Sequence, residues 1–152
     1  MKDGVTPAGK TRYILICSAA YCLPVAILFA LGRFSGLFWL YIGNMIFLFL
    51  MMFFVAISNW QTGAATDVLG MISSGMKMAL KSIVLSCLIC ATLVFVFREK
   101  WLAQTPANTS GFVNMLFLNA IVVNLFAAAF GVLMGAMAAG RNKRNSRGRE
   151  IT

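Results

Sequence analysis

The chain contains no histidine and only four carboxylates, Asp3, Asp67, Glu99 and Glu150. Without histidine it lacks the commonest general base, metal ligand and proton shuttle. None of the four acids falls in a long apolar run, so neither a paired-carboxylate site nor a buried proton relay can be built from them. No glycine-rich phosphate loop precedes a helix. Charge of either sign is scarce, at 11% of 152 residues, where a soluble domain carries about a quarter. These absences argue against an enzyme and imply no cofactor and no metal.

What is present is apolar. Hydrophobic residues make up 61% of the chain, and the mean hydropathy is +0.86. The thirteen basic residues are segregated, leaving long uncharged gaps between them. A run of about 20 apolar residues crosses a hydrocarbon core as a helix. Four such runs occur, at residues 13–31, 37–57, 77–97 and 112–139. They are continuous rather than alternating, which excludes membrane barrel strands and requires helices. About 90 residues then lie in the bilayer, leaving no room for a soluble domain. The predicted fold is all-α: one domain over 1–152, a four-helix transmembrane bundle with a basic tail at 140–152.

The first run follows Lys2, Lys10 and Arg12 and invites reading as a signal peptide. It is longer than a usual signal core, and "LGRFSG" follows it in place of a small-x-small cleavage site. A retained span is therefore expected.

Basic residues set the orientation. With a cytoplasmic N-terminus, ten fall inside (2, 10, 12, 77, 81, 141, 143, 144, 147 and 149) and three outside (33, 98 and 100). Short cytoplasmic loops hold the excess of Lys and Arg, so both termini are expected inside. The tail "RNKRNSRGRE" reads as a lock against anionic headgroups, each basic residue contributing about 1 kcal/mol near such a surface. Arg141, Lys143 and Arg144 are candidate contacts to anionic lipid or a partner. With no aromatic among its basic residues, the tail does not suggest nucleic-acid binding.

The connection "GRFSG" is short enough to make spans one and two an antiparallel hairpin. Between spans two and three, Gly70, Ser74, Lys77 and Lys81 form a polar stripe at helical spacing. One long third helix is expected from near Asp67, extended into the cytoplasmic interface, with Thr66 or Asp67 as its cap. Lys77 and Lys81 would snorkel to the interface or meet anionic lipid or a partner. Trp60 and Trp101 suit headgroup depth, and Pro106 and Asn108 suit a turn. Asn108-Thr109-Ser110 is an N-x-S/T triplet, without meaning in a bacterial protein.

Within the spans, Cys87 and Cys90 have redox-pair spacing but lie deep in an apolar helix, where a thiolate is disfavoured. With Cys17 and Cys22, and with ten Met and thirteen Phe, they read as packing. Asn44, Asn114, Asn119 and Asn124 need partners in lipid and are expected to join helices. Asn44 and Asn119 each lie seven residues inside an outer span boundary, which predicts that spans two and four are neighbours and that these two amides meet. In span four, Ala127, Gly131, Gly135 and Ala139 recur every four residues, with Asn124 continuing the face. Such a GxxxG-type stripe admits close helix packing. Span one, span three, a second copy and another protein are all open as its partner.

The stretches "GMKMALKSIV" and "NAIVVNLFAAAFGVLMGAMA" resemble small four-span inner-membrane proteins of bacteria, from a domain family of unknown function. The resemblance covers the chain in outline and implies a bacterial cytoplasmic membrane, with no activity or site attached.

The function expected is that of a structural or accessory membrane protein, whose partners are the lipid bilayer and other membrane subunits or itself. A small oligomeric transporter or channel is the alternative, weakened by the lack of an ionisable group in mid-span. The topology is testable directly. Reporter fusions after Gly140 are expected to report a cytoplasmic position, and an external signal would overturn the ten-to-three argument.

Overall fold

The computed structural model describes residues 7–32, 38–61, 68–104 and 109–149, with side chains at all of these except 7–9, 59–61, 101, 104, 109–110 and 141–149. The described elements are all helical: α1 (Pro7–Leu31), α2 (Phe38–Gln61), α3 (Val68–Val96), the short α4 (Arg98–Gln104), α5 (Thr109–Leu118), a π-helical stretch (Asn119–Val123) and α6 (Asn124–Arg149). Four stretches are long and apolar enough to cross a membrane: Lys10–Leu31, Phe38–Ser58, Val68–Val96 and Gly111–Gly140. Span four is therefore α5, the π stretch and α6 in succession. The third helix begins at Val68, within a residue of the position read from sequence. The suggested caps Thr66 and Asp67, and the turn residues Pro106 and Asn108, lie outside the described residues.

Local chemistry explains how α1 holds together and ends. Pro24 removes one amide from its interior, a loss a helix tolerates when its neighbours re-satisfy the freed carbonyl. Gly32 stops it in the left-handed region at φ 66°. There its N–H donates to Leu28 O at 3.1 Å, the single-bond cap that glycine adopts without a Cβ penalty.

The spans close into a ring in the order α1, α2, α6, α3. The proximal end is where α1 begins and α6 finishes; the other end is distal. α1 and α2 run antiparallel. Near the proximal end Tyr13 stacks on Phe54 with ring centroids 4.5 Å apart. Further along, Tyr21 meets Phe47 edge-on at 6.2 Å. α1 and α3 run parallel in fixed register, since Lys10–Ser74, Ser18–Ser82 and Cys22–Ser86 contacts all join residues 64 apart. At the distal end Phe29 packs against Phe97 of the α3–α4 turn and Phe112 of α5, at 5.9 and 5.8 Å. Tyr21, Val25, Leu28, Phe29, Leu40, Phe47, Met51, Leu116 and Val132 are fully buried along the bundle axis.

The most extensive interface is between α2 and α6, which are parallel. Gly131 and Gly135 make it possible. A Cβ at Gly131 would lie 2.8 Å from the Leu48 carbonyl oxygen, and one at Gly135 would lie 2.5 Å from that of Met52. Gly75 does the same for α3, where a Cβ would meet Val132 at 2.7 Å and Val55 at 3.0 Å. The small-residue stripe thus has α2 as its neighbour, which corrects the sequence expectation. Span two was not among the partners left open for it, because the stripe specifies a close crossing without naming the helix crossed. Its ends, Ala127 and Ala139, are only half-buried. The fully buried row runs beside it, through Ala120, Asn124, Ala128, Val132 and Ala136. One row of α6 faces the α2 backbone, and the next fills the core.

Substitution separates contact from composition. Gly135→Ala is expected to destabilise the bundle by about 1–3 kcal/mol through overpacking, and Gly131→Leu with Gly135→Leu by more. Gly140→Ala meets open space and should be neutral or stabilising by up to about 1 kcal/mol from helix propensity. Thermal midpoints in a mild detergent measure all three. Equal midpoints for Gly135→Ala and Gly140→Ala would contradict the close approach.

Candidate functional site

Polar side chains inside the bundle fall into a ladder between α1 and α3 and a node bounded by Tyr21. In the ladder, the Ser18 hydroxyl lies 2.9 Å from both Ile14 O and Ser82 O, sharing one proton between its own helix and the next. The Ser82 hydroxyl donates to Met78 O at 3.1 Å, and the Cys22 thiol reaches Ser86 O at 3.7 Å. Ser18, Ser82 and Ser86 are all fully buried. Small residues at these positions let the parallel helices approach, and each interhelical bond contributes about 0.6 kcal/mol in a membrane protein.

The node forms where Tyr21 crosses the interior. Its ring lies against Gly43 of α2, where a Cβ would stand 3.2 Å from Tyr21 Cδ2. Its hydroxyl donates to Asn119 Oδ1 at 3.1 Å. Asn119 opens the π-helical stretch, and Asn124 closes it. The wider π turn disturbs the ordinary carbonyl pairing. The Asn124 Nδ2 group donates back to Ala120 O at 3.2 Å, so its amide serves the irregular backbone.

This arrangement corrects the amide pairing. Spans two and four are neighbours, but Asn44 and Asn119 are not joined. Asn119 Oδ1 is taken by Tyr21, and both Asn44 side-chain polar atoms are buried with no partner among the described residues. The reason is register. Gly131 sits on Met51, with the added Cβ 3.3 Å from Met51 Cβ. Two turns toward the distal end from that contact are Asn124 on span four and Asn44 on α2. Asn44 is therefore level with Asn124. Equal depth from the outer boundaries failed because span four overshoots the start of α2 by more than a turn.

The other positions read from sequence are dispersed. Asn114 is exposed near the distal end, and Lys77 and Lys81 are exposed on α3. Lys10 Nζ comes within 3.5 Å of Ser74 Oγ. Arg141, Lys143 and Arg144 fall on the last stretch of α6, where side chains lie outside the described ones, as do those of Trp60 and Trp101. All four cysteines are free. The Cys22 thiol faces α3, at the Ser86 carbonyl one turn before Cys90. Among the described residues, no three His, Cys, Asp or Glu side chains form a group able to hold a metal.

Sequence reading passed over Tyr21, Ser18, Ser82 and Ser86. A signal was present: Ser74, Ser82, Ser86 and Cys90 fall on one four-residue repeat in α3, as Ser18 and Cys22 do in α1. No family model matches the chain, and neither a curated protein nor a solved structure matches it.

The Tyr21–Asn119 bond can be measured by a double-mutant cycle of Tyr21→Phe and Asn119→Leu. The coupling expected is about 0.6 kcal/mol, and at most about 1.7. Additive losses in unfolding free energy would show that the two side chains do not interact.

Proposed function

We propose that this chain is a non-enzymatic accessory or structural protein of a bacterial cytoplasmic membrane, with both termini inside, acting through helix–helix contacts in a homo-oligomer or larger membrane complex. The observation that carries this reading is the position of α3. Only 28% of the residues in its most apolar 18-residue stretch are buried, against 39–44% for the other three spans. Leu80, Lys81, Val84, Leu85 and Leu88 line a shallow apolar groove on its outer face. Helices associate in lipid by shape and close packing rather than by hydrophobic drive, so a grooved helix left at the edge offers a lateral contact. Lys77 and Lys81 would meet anionic headgroups or an acidic partner at its proximal end. The third helix would extend there into the cytoplasmic interface.

A second reading is favoured by one observation. The amide node lies mid-bundle, where a polar lining of a transport path would lie. In that reading, copies of the chain form a small transporter or channel.

Purification in mild detergent separates the two. A defined set of co-purifying membrane proteins, or a small homo-oligomer, is expected. Val84→Trp with Leu88→Trp should dissolve that assembly without lowering the thermal midpoint, because both residues are exposed on the bundle. A homogeneous ring that conducts in bilayers supports the pore reading, and a stable monomer in native membranes contradicts both.

A further inference from the structure

Three deeply buried side chains from three spans, two amides and one serine of the ladder, keep unpartnered polar atoms among the described residues. They are Asn44 Nδ2 and Oδ1, Ser86 Oγ and Asn124 Oδ1. Asn44 is 6% exposed, and Ser86 and Asn124 are 0% exposed. Register ties them to one level. The Gly131–Met51 contact puts Asn124 level with Asn44, and the Gly75–Val55 contact, eleven residues on, puts Ser86 level with Asn44 as well. Tyr21 crosses the same region: its ring packs beside Gly43, next to Asn44, and its hydroxyl bonds Asn119 of the π turn that Asn124 closes. An unfilled amide in an apolar interior is a large penalty, and a membrane span has no solvent to relieve it.

The unfilled atoms define the chemistry that would satisfy them. Two are acceptors, the Oδ1 atoms of Asn44 and Asn124. One is a donor group, Asn44 Nδ2, and the Ser86 hydroxyl acts as either. A cation would leave the Asn44 N–H groups unfilled, and an anion would leave both carbonyl oxygens unfilled. Neither ion finds a countercharge, since the spans have no acid and no basic residue at this level. Only a neutral molecule that both donates and accepts fills the set.

We propose that Asn44, Ser86 and Asn124 form an intramembrane binding site for a neutral hydrogen-bonding molecule, occupied by water. Buried waters in proteins bridge two to four otherwise unsatisfied polar groups, which is the inventory here. The site bridges α2, α3 and α6 at the level where the π turn re-aims Asn124. It stands independently of the accessory role, because it concerns the interior and not the lateral face.

The test uses the full chain, labelled with 15N-asparagine, in lipid nanodiscs. Magnetisation is transferred selectively from water to side-chain amide protons. Asn44→Leu and Asn124→Leu assign the two signals by their disappearance, and Asn44→Ser serves if the leucine variant does not fold. Direct transfer at both amides, with the sign of a long-lived bound water, is the expected result. It should persist when surface exchange is suppressed at lower pH. Transfer from a co-purified neutral solute instead, removed by exhaustive exchange into solute-free nanodiscs, would keep the site and change its occupant. Absence of transfer from either source, with a thermal midpoint raised by Asn44→Leu, would show an orphaned amide and overturn the proposal.

Discussion

The contact on which the rest of the bundle depends is the approach of α6 to the α2 backbone at Gly131 and Gly135. A bilayer gives apolar helices no solvent-driven reason to associate, so packing must supply the attraction. Removing two Cβ atoms lets the Leu48 and Met52 carbonyls come within a distance that any side chain would prevent. This close seam fixes the register of the parallel pair. Register in turn decides which polar groups share a level. It brings Asn44 level with Asn124 and leaves Asn119 to Tyr21 of α1.

The two parallel pairs are built with different chemistry. α2 and α6 use bare backbone against backbone, whereas α1 and α3 use small hydroxyl and thiol residues at a constant offset of 64. Ser18 illustrates the second solution: its hydroxyl sits as close to Ser82 O as to its own Ile14 O, so one group serves both helices. The hairpin between α1 and α2 relies instead on aromatic contacts, Tyr13 with Phe54 and Tyr21 with Phe47. Tyr21 belongs to both systems, and through it the amide node is attached to the aromatic core.

The spans and their helical nature were legible because hydropathy over about twenty residues is a strong signal. The importance of Gly131 and Gly135 was legible for a similar reason, since a four-residue repeat of small side chains has few other uses in lipid. The neighbour of that stripe was not, because a stripe specifies a close crossing without naming the helix crossed. The amide pairing failed at the same point. Depth counted from apolar boundaries assumes spans that begin level, and α5 begins well beyond the start of α2. The π stretch at Asn119–Val123 carries no mark in "NAIVV", whose residues would suit an ordinary helix. Ser82 and Ser86 were readable as a repeat, but scattered serines in an apolar run draw less notice than glycines.

The seam between α2 and α6 can be tested by cross-linking, with Cys17, Cys22, Cys87 and Cys90 first changed to alanine. Gly131 itself must stay, because any Cβ there would meet the Leu48 carbonyl. The pair is therefore taken one turn distal, at Leu48 of α2 and Ala127 of α6, which the Gly131–Met51 contact places at one level. Leu48→Cys with Ala127→Cys is expected to link rapidly under mild oxidation in membranes, since disulfides form between Cβ atoms about 3.5–4.5 Å apart. Leu48→Cys with Met137→Cys, whose second residue is 60% exposed on the outside of α6, should not. Linking of the outward pair in preference to the Ala127 pair would contradict the register on which the fold, the node and its proposed water all rest.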